Sequence, residues 1–361
     1  MNNGPGGLAV QPEGRAAWDK PGVYRVDSGV FRIPLPMPQD GLRAVNVYVF
    51  VGEFGLTLID AGWDIPEART LLQLGIEAIG FSMHDITSFL ITHLHRDHYE
   101  LSLRLRREFG AKVALGAGER PGLETLLRGG IEPYGPQVAA LRTLGAEQLA
   151  DRIVVEFARD ESLASSRQEL PDDWIEEGPM RVAERTLSAL ATPGHTSGHF
   201  VFHDEAAGLL FSGDHVLPSI TPSIGLEVAT VQNPLGDFLD SLRLLRGRAD
   251  ARLLPAHGEV AESVHARVDE LLAHQHDRLE QTEQALNTGA RTGLELAERL
   301  TWTRHERRLA DMSVFNQMLA VCETAAHAQL LVSLGRASSD WHAGTHYFSP
   351  RRPQSSVRNG V

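Results

Sequence analysis

Along this chain, apolar residues fall first into the two-residue period of strands and later into the wider period of helices. Val23 to Ile33 and Ala44 to Asp60 alternate, most clearly in Val45-Asn46-Val47-Tyr48-Val49-Phe50, and Gly52 and Gly55 mark a turn. These segments predict the first strands of a sheet. Pro66 to Gly75 and Tyr99 to Phe109 carry helical spacing, and Lys112 to Leu115 reads as the next strand. After a long interval the strand pattern resumes at Thr186 to Thr192, Phe200 to Phe202, Leu209 to Ser212 and Arg252 to Pro255, with a helix at Pro234 to Leu245. Residues 1–22 have too little apolar pattern to pack firmly and predict a flexible or draped arm.

The interval, about 116–185, is longer than one helix and strand require and reads as an insertion. Leu123 to Leu127 and Pro136 to Leu144 are helical, Arg152 to Phe157 reads as a strand, and Pro171-Asp172-Asp173-Trp174-Ile175-Glu176-Glu177-Gly178 is acidic. Placed between the site motifs described next, part of it is expected to form a substrate lid, with Tyr134, Phe157 and Trp174 as wall residues. Aromatic residues are more often core than contact, so the competing expectation is that they pack the lid onto the body.

The chemistry concentrates in Ile91-Thr92-His93-Leu94-His95-Arg96-Asp97-His98, three imidazoles and a carboxylate within six residues of one another, just after an apolar run. His93 and His95 lie two apart in a turn, so both rings can point at one ion. Asp97 and His98 stand where a helix can begin, aimed at a second. A lone His-x-His is weak evidence, but the rest of the chain completes a set. His195 sits in Thr192-Pro193-Gly194-His195-Thr196-Ser197-Gly198-His199, Asp214 in Phe211-Ser212-Gly213-Asp214-His215, and His257 in Leu254-Pro255-Ala256-His257-Gly258, each directly after a short strand-like stretch. Asp60 likewise ends Leu56-Thr57-Leu58-Ile59-Asp60.

In these motifs the chain resembles the metallo-β-lactamase-fold hydrolases, from about Val23 to about Val260. The resemblance implies an α/β fold, an αββα sandwich at 23–260 with a lid-like insertion. It also implies that His93, His95 and His195 hold one metal, that Asp97, His98 and His257 hold a second, and that Asp214 bridges them. Asp60 would orient a ligand without binding metal. Two divalent ions are expected, zinc first because imidazole-rich sites suit it, with manganese or iron as alternatives. Such a pair makes a nucleophile available near neutral pH and stabilises the departing group, and Asp97 is the expected proton carrier. His215 is a candidate substrate contact, while His199 and His203 read as structural.

Beyond His257 the pattern turns helical, at Val264 to Leu286, Gly293 to Leu300 and Met312 to Leu334, before Arg336 to Tyr347, which can form a hairpin. This region, 261–348 followed by a tail at 349–361, is similar to the winged-helix-like C-terminal domain of the lactamase-β-like branch of the fold. Arg304, Arg307 and Arg308 would be its basic cluster for a DNA-binding role. Acidic residues balance the arginines there, which favours a packing or dimerisation domain, with a homodimer as one expected assembly.

Composition narrows the function. The 361 residues carry a net charge of −13, which argues against a polyanionic main partner such as nucleic acid. Lysine occurs only at Lys20 and Lys112, an arginine bias that, with abundant Ala, Gly and Leu, points to a GC-rich bacterial genome. The single cysteine, Cys322, forms no intramolecular disulfide and fits a reducing compartment; with no spanning apolar stretch and no secretory core in Met1 to Arg15, the cytoplasm is expected and a membrane is not. True metallo-β-lactamases lack a bridging Asp at the position of Asp214, and flavodiiron proteins replace a motif histidine with Glu. The large insertion of the β-CASP nucleases and a basic glutathione-binding pattern are both missing. The resemblance therefore implies hydrolysis of a small-molecule thioester, ester or lactone. An endoribonuclease or phosphodiesterase is the alternative, and a regulatory protein with a DNA- or partner-binding helical domain the third reading.

Overall fold

The alternating segments pair into two sheets. In the computed structural model, residues 8–14, 17–38, 41–129, 134–158, 168–229, 231–303 and 305–351 are described. One sheet has eight strands in chain order, β1 (Val10–Pro12), β2 (Val23–Asp27), β3 (Val30–Pro36), β4 (Ala44–Gly52), β5 (Gly55–Ile59), β6 (Ile86–Ile91), β7 (Lys112–Gly116) and β8 (Asp173–Ile175). β2 to β5 are antiparallel neighbours, and β5 to β8 run parallel. The second sheet has the order β13-β12-β11-β10-β9, from β9 (Gly178–Val182), β10 (Arg185–Ala191), β11 (Phe200–Asp204), β12 (Leu209–Gly213) and β13 (Arg252–Pro255).

Burial sorts these strands into layers. Tyr48, Phe50 and Ile59 of the first sheet share a core with Leu187, Phe200, Phe202, Phe211 and Leu254 of the second, so the two sheets meet face to face. The other face of the first sheet offers Ile33, Leu35, Val45, Val47 and Val49 to helices Pro66–Ala78 and Arg96–Phe109, which bury Leu72, Ile76, Leu101 and Leu105 against it. A helix on the far side, Pro234–Arg246, starts at Asn233, whose side chain caps Gly236 N–H, and buries Leu235, Phe238, Leu242 and Leu245. This is the αββα order. Because β5, β6, β12 and β13 end at the same edge of the sandwich as the loop after β10, the polar residues that follow them are gathered there.

Three sequence expectations need correction. The arm at 1–22 is not a loose tail in its described part: Val10–Pro12 pairs in parallel with Val23, Tyr24 and Arg25, and Glu13 grips Arg32 at 2.7 and 2.9 Å. Arg152 to Phe157 is the end of a helix, Glu147–Phe157, and not a strand. Leu149, Ala150 and Ile153 bury one helical face while Val154 and Val155 face outward, so tertiary burial overrides the β-preference of the valines. The acidic segment is sheet edge and not lid, since Asp173–Ile175 pairs with β7 and Gly178–Val182 with β10.

The chain divides into two compact units. Met1–Gly130, Glu161–Pro222 and Glu227–Leu272 form the first, and Ile131–Asp160, Ser223–Leu226 and Ala273–Val361 the second. The insertion is thus shared between them. Helices Val264–Asn287, Gly293–Arg299 and Val314–Ser333 follow β13, and a hairpin of β14 (Ala337–His342) and β15 (Thr345–Pro350) comes last. Within the second unit Thr292 and Glu295 form a capping box, and Ser313 caps Asn316. Of the basic cluster, Arg307 and Arg308 are exposed, and Arg304 lies outside the described residues. No helix among the described residues is long and apolar enough to cross a membrane.

Candidate metal centre

The strand ends bring all seven predicted ligands together. His93, His95, His195 and Asp214 form one group and Asp97, His98 and His257 another, with the ligand atoms of each group within 4.8 Å of one another. In the first, His95 Nδ1 lies 2.9 Å from His93 Nε2 and 3.1 Å from His195 Nε2. In the second, His257 Nε2 and His98 Nε2 lie 3.2 and 3.3 Å from Asp97 Oδ2. Asp214 touches both: Oδ2 is 3.6 Å from His195 Nε2, and Oδ1 is 3.3 Å from His257 Nε2 and 3.7 Å from His98 Nε2.

Neighbouring groups fix which nitrogen of each ring is offered. Thr92 Oγ1 has one proton and gives it to Asp60, at 3.0 Å from Oδ1, so it accepts from His93 Nδ1–H at 3.0 Å and leaves the His93 Nε2 lone pair free. His98 Nδ1–H donates to Asp60 Oδ2 at 2.9 Å, and His257 Nδ1–H to the Ala44 carbonyl at 2.7 Å. All three rings are therefore set with Nε2 inward. Asp60 also accepts from Thr92 N–H at 2.9 Å, and it adopts a left-handed φ of 61° at the end of β5. Its two oxygens thus hold Thr92 and His98 from behind the cluster.

The residues present fit metal. His98 Nε2, His257 Nε2 and Asp214 Oδ1 are buried yet make no hydrogen bond, which is costly for polar atoms unless a cation completes them. Without one, the two groups diverge electrostatically. Burial, then the neighbouring His195, pushes His95 down to about 3. Against the same burial, the Asp214 carboxylate and then Asp97 push His257 up to about 10, and Asp97, Asp60 and Asp214 hold His98 well above its ordinary value. Protons there do what a divalent ion would do, neutralising two buried carboxylates.

Other predicted residues fare differently. His199 is structural: fully buried, it pairs Nδ1 with Thr192 Oγ1 at 2.8 Å and accepts the Asp214 N–H on Nε2 at 3.2 Å. His203 is buried on β11. His215 has no exposed surface and packs its ring 4.9 Å from Phe238, so in this structure it offers no open face to a substrate. Trp174 stacks under Arg120 at 4.6 Å and lines a cavity of about 340 Å³ that none of the seven ligands borders. Tyr134 and Phe157 pack on one another at 4.9 Å and on Phe315, within the second unit.

Sequence reasoning missed the groups behind the ligands. Asn46 N–H donates to the Ala256 carbonyl at 2.7 Å, and its side-chain amide to the Pro255 and Gly258 carbonyls at 2.9 and 3.1 Å, which fixes the loop carrying His257. Asn46 Oδ1 accepts in turn from Arg32 at 2.8 Å; this arginine is 1% exposed, lies over the Tyr24 ring and also donates to the Trp18 carbonyl.

The chain is similar to known proteins. The pattern of the metallo-beta-lactamase superfamily matches residues 40–257. YqjP of Bacillus subtilis, described as a probable metallo-hydrolase, is 28% identical over 334 residues, covering 88% of this chain and 96% of that protein. The lactamase-like protein ptaB of Pestalotiopsis fici is 27% identical over 247 residues, 68% of this chain and 60% of its own length. The crystal structure of a metallo-beta-lactamase family protein from Thermus thermophilus matches with a TM-score of 0.69 at 27% identity, covering 91% of this chain and 100% of that one. A beta-lactamase domain protein from Burkholderia ambifaria, 22% identical with a TM-score of 0.71 over 91% of this chain and 95% of its own, shares the fold. The chain belongs to the metallo-beta-lactamase superfamily, and it carries a His/Asp cluster of metal-binding type at its strand ends.

Proposed function

We propose that this protein is a dinuclear metal-dependent hydrolase of an acyl substrate, a thioester first, with esters and lactones open to the same chemistry. The observation that carries the reading is Asp214, whose two oxygens face the two ligand groups separately, at 3.6 Å from His195 and 3.3 Å from His257. His93, His95 and His195 would hold one ion and Asp97, His98 and His257 the other, with zinc favoured by the five imidazoles and manganese or iron compatible with the carboxylates. Bound there, the ions would polarise a carbonyl and make water nucleophilic near neutral pH.

The chain's own residues supply the rest. The Asp97 side chain is 14% exposed, more open than that of Asp214 at 8%, which supports a role in taking the proton of an attacking water. Asp60, Thr92 and Ala44 keep the imidazole protons on Nδ1, away from the reacting side. The net charge of −13 supports an uncharged or weakly charged acyl substrate over a polyanion. The helical region with its terminal hairpin is read as winged-helix-like.

A panel of acyl thioesters, esters, lactones and single-stranded RNA, run on protein of measured metal content, tests the proposal. The expected result is turnover of thioesters or lactones, with apparent affinity little changed by moderate salt. Metal-dependent cutting of single-stranded RNA would overturn it if His95→Ala abolished the cutting and salt weakened it with a slope of about −0.7 per phosphate contacted.

A further inference from the structure

We propose that Glu119 is a positioning residue that clasps the two loops carrying His93, His95 and His195. It is 2% exposed and lies in the single turn Ala117–Glu119 that follows β7. Its Oε1 accepts from Thr196 Oγ1 at 2.5 Å, one residue after His195. The main-chain N–H groups of Leu94, the residue between His93 and His95, and of Gly198 also face the carboxyl group and favour its charged form, against the burial that pushes it up to about 8. One buried carboxyl group thus stands between a loop of the first sheet and a loop of the second, where both present imidazoles.

The backbone is shaped around this contact. A Cβ at Gly198 would stand 2.2 Å from Glu119 N and 2.6 Å from its Cγ, and one at Gly116 would stand 2.1 Å from the Gly198 carbonyl oxygen. Only glycine allows two main chains to approach this closely. Glu227 supports the same loop from another direction, since its Oε1 accepts Ser197 N–H at 3.0 Å and the Ser197 hydroxyl. Glu119 touches no ligand ring. It acts through the backbone of Leu94 and the side chain of Thr196, and so sets how far His95 and His195 stand from one another.

The inference rests on the reading of the three histidines as ligands of one ion. Its test is a cobalt(II) titration of the metal-free full-length chain, followed by calorimetry and by the visible cobalt spectrum, with His93→Ala used to assign which binding event belongs to the trio. Glu119→Ala is expected to weaken that event by about 10–100-fold and to shift its spectrum, leaving the other event in place. Glu119→Gln, which keeps an acceptor oxygen, should recover part of the affinity. Thr196→Val, which deletes a single hydroxyl donor, gives the same direction with a smaller effect and serves if Glu119→Ala does not fold. Variants that bind the trio's ion with wild-type affinity and spectrum overturn the clasp, even if they melt at a lower temperature. If the wild-type chain has no cobalt event sensitive to His93→Ala, the metal reading fails, and the clasp fails with it.

Discussion

His93, His95 and His195 meet through three imidazole nitrogens, whereas Asp97, His98 and His257 alternate carboxylate with imidazole. The supports differ as much as the ligands. Behind the trio stands a buried carboxyl group, Glu119, which accepts the Thr196 hydroxyl and which burial pushes up to about 8. Behind His257 stands a buried arginine, Arg32, whose charge is met by Glu13 and whose orientation reaches the His257 loop through Asn46. An imidazole trio needs only distance and direction to be set, because neutral rings repel weakly. The mixed group also needs its charges balanced, and in the absence of a cation it draws protons, as His257 does. Asp214 touches both halves directly, and Asp60 reaches His98 directly and His93 through Thr92.

Perturbing the shared residues should produce the largest effects. Asp214→Ala removes the oxygens facing both groups, so metal content and hydrolysis should fall together, by more than the roughly 100-fold that marks the upper range for an outer support. Retention of both ions with full turnover would break the comparison at its root. Asp60→Asn comes next. Asparagine tolerates the left-handed φ of 61°, but its amide has one acceptor oxygen where the carboxylate serves Thr92 and His98 with two. A loss of about 10–100-fold in metal affinity is expected, largest at the His98 ion, read by titration beside an unchanged fold by circular dichroism.

The third effect should be confined to one half. Asn46→Ala frees the Pro255 and Gly258 carbonyls and removes one acceptor from Arg32, a cost of about 1–3 kcal/mol in denaturant unfolding. The ion beside His257 should loosen more than the ion of the trio; equal loosening would show that the halves are not separately supported. The smallest effect lies away from both. Arg185 holds Asp27 below its ordinary 3.8, first through a side-chain hydrogen bond, so this pair stabilises the fold above the ordinary aspartate range and the contribution is lost as pH falls through the lowered value. Asp27 is 40% exposed, so Asp27→Asn should flatten the acid limb of a stability–pH curve by less than about 1 kcal/mol.

The candidate cluster was legible because each member follows a strand and carries a side chain rare in cores. The supports were not, for a physical reason. Asn46 sits in the alternation of Val45-Asn46-Val47, where a polar residue reads as solvent-facing, yet it is fully buried and its partner Pro255 lies 209 residues away. A period of two records which face a side chain takes and nothing about what covers that face. Arg32 was hidden in the same way. The run Gly116-Ala117-Gly118-Glu119 did carry a signal, two glycines flanking one residue beside an acid just after a strand, but it resembled an ordinary turn. The helix Glu147–Phe157 was misread because Ile153-Val154-Val155 has strand propensity, and only burial of Leu149, Ala150 and Ile153 decides otherwise. Local pattern located the chemistry, and long-range packing holds it in place.

The central claim is that Asp214 joins two separately built metal positions. The direct measurement is the number of ions bound per chain when metal-free protein is supplied with zinc or manganese, counted for the wild type, His93→Ala, His257→Ala and Asp214→Ala. The account predicts two ions in the wild type, one after either histidine change, and weakened binding of both after Asp214→Ala. A single ion in the wild type, or two that survive the loss of Asp214 unchanged, would contradict it.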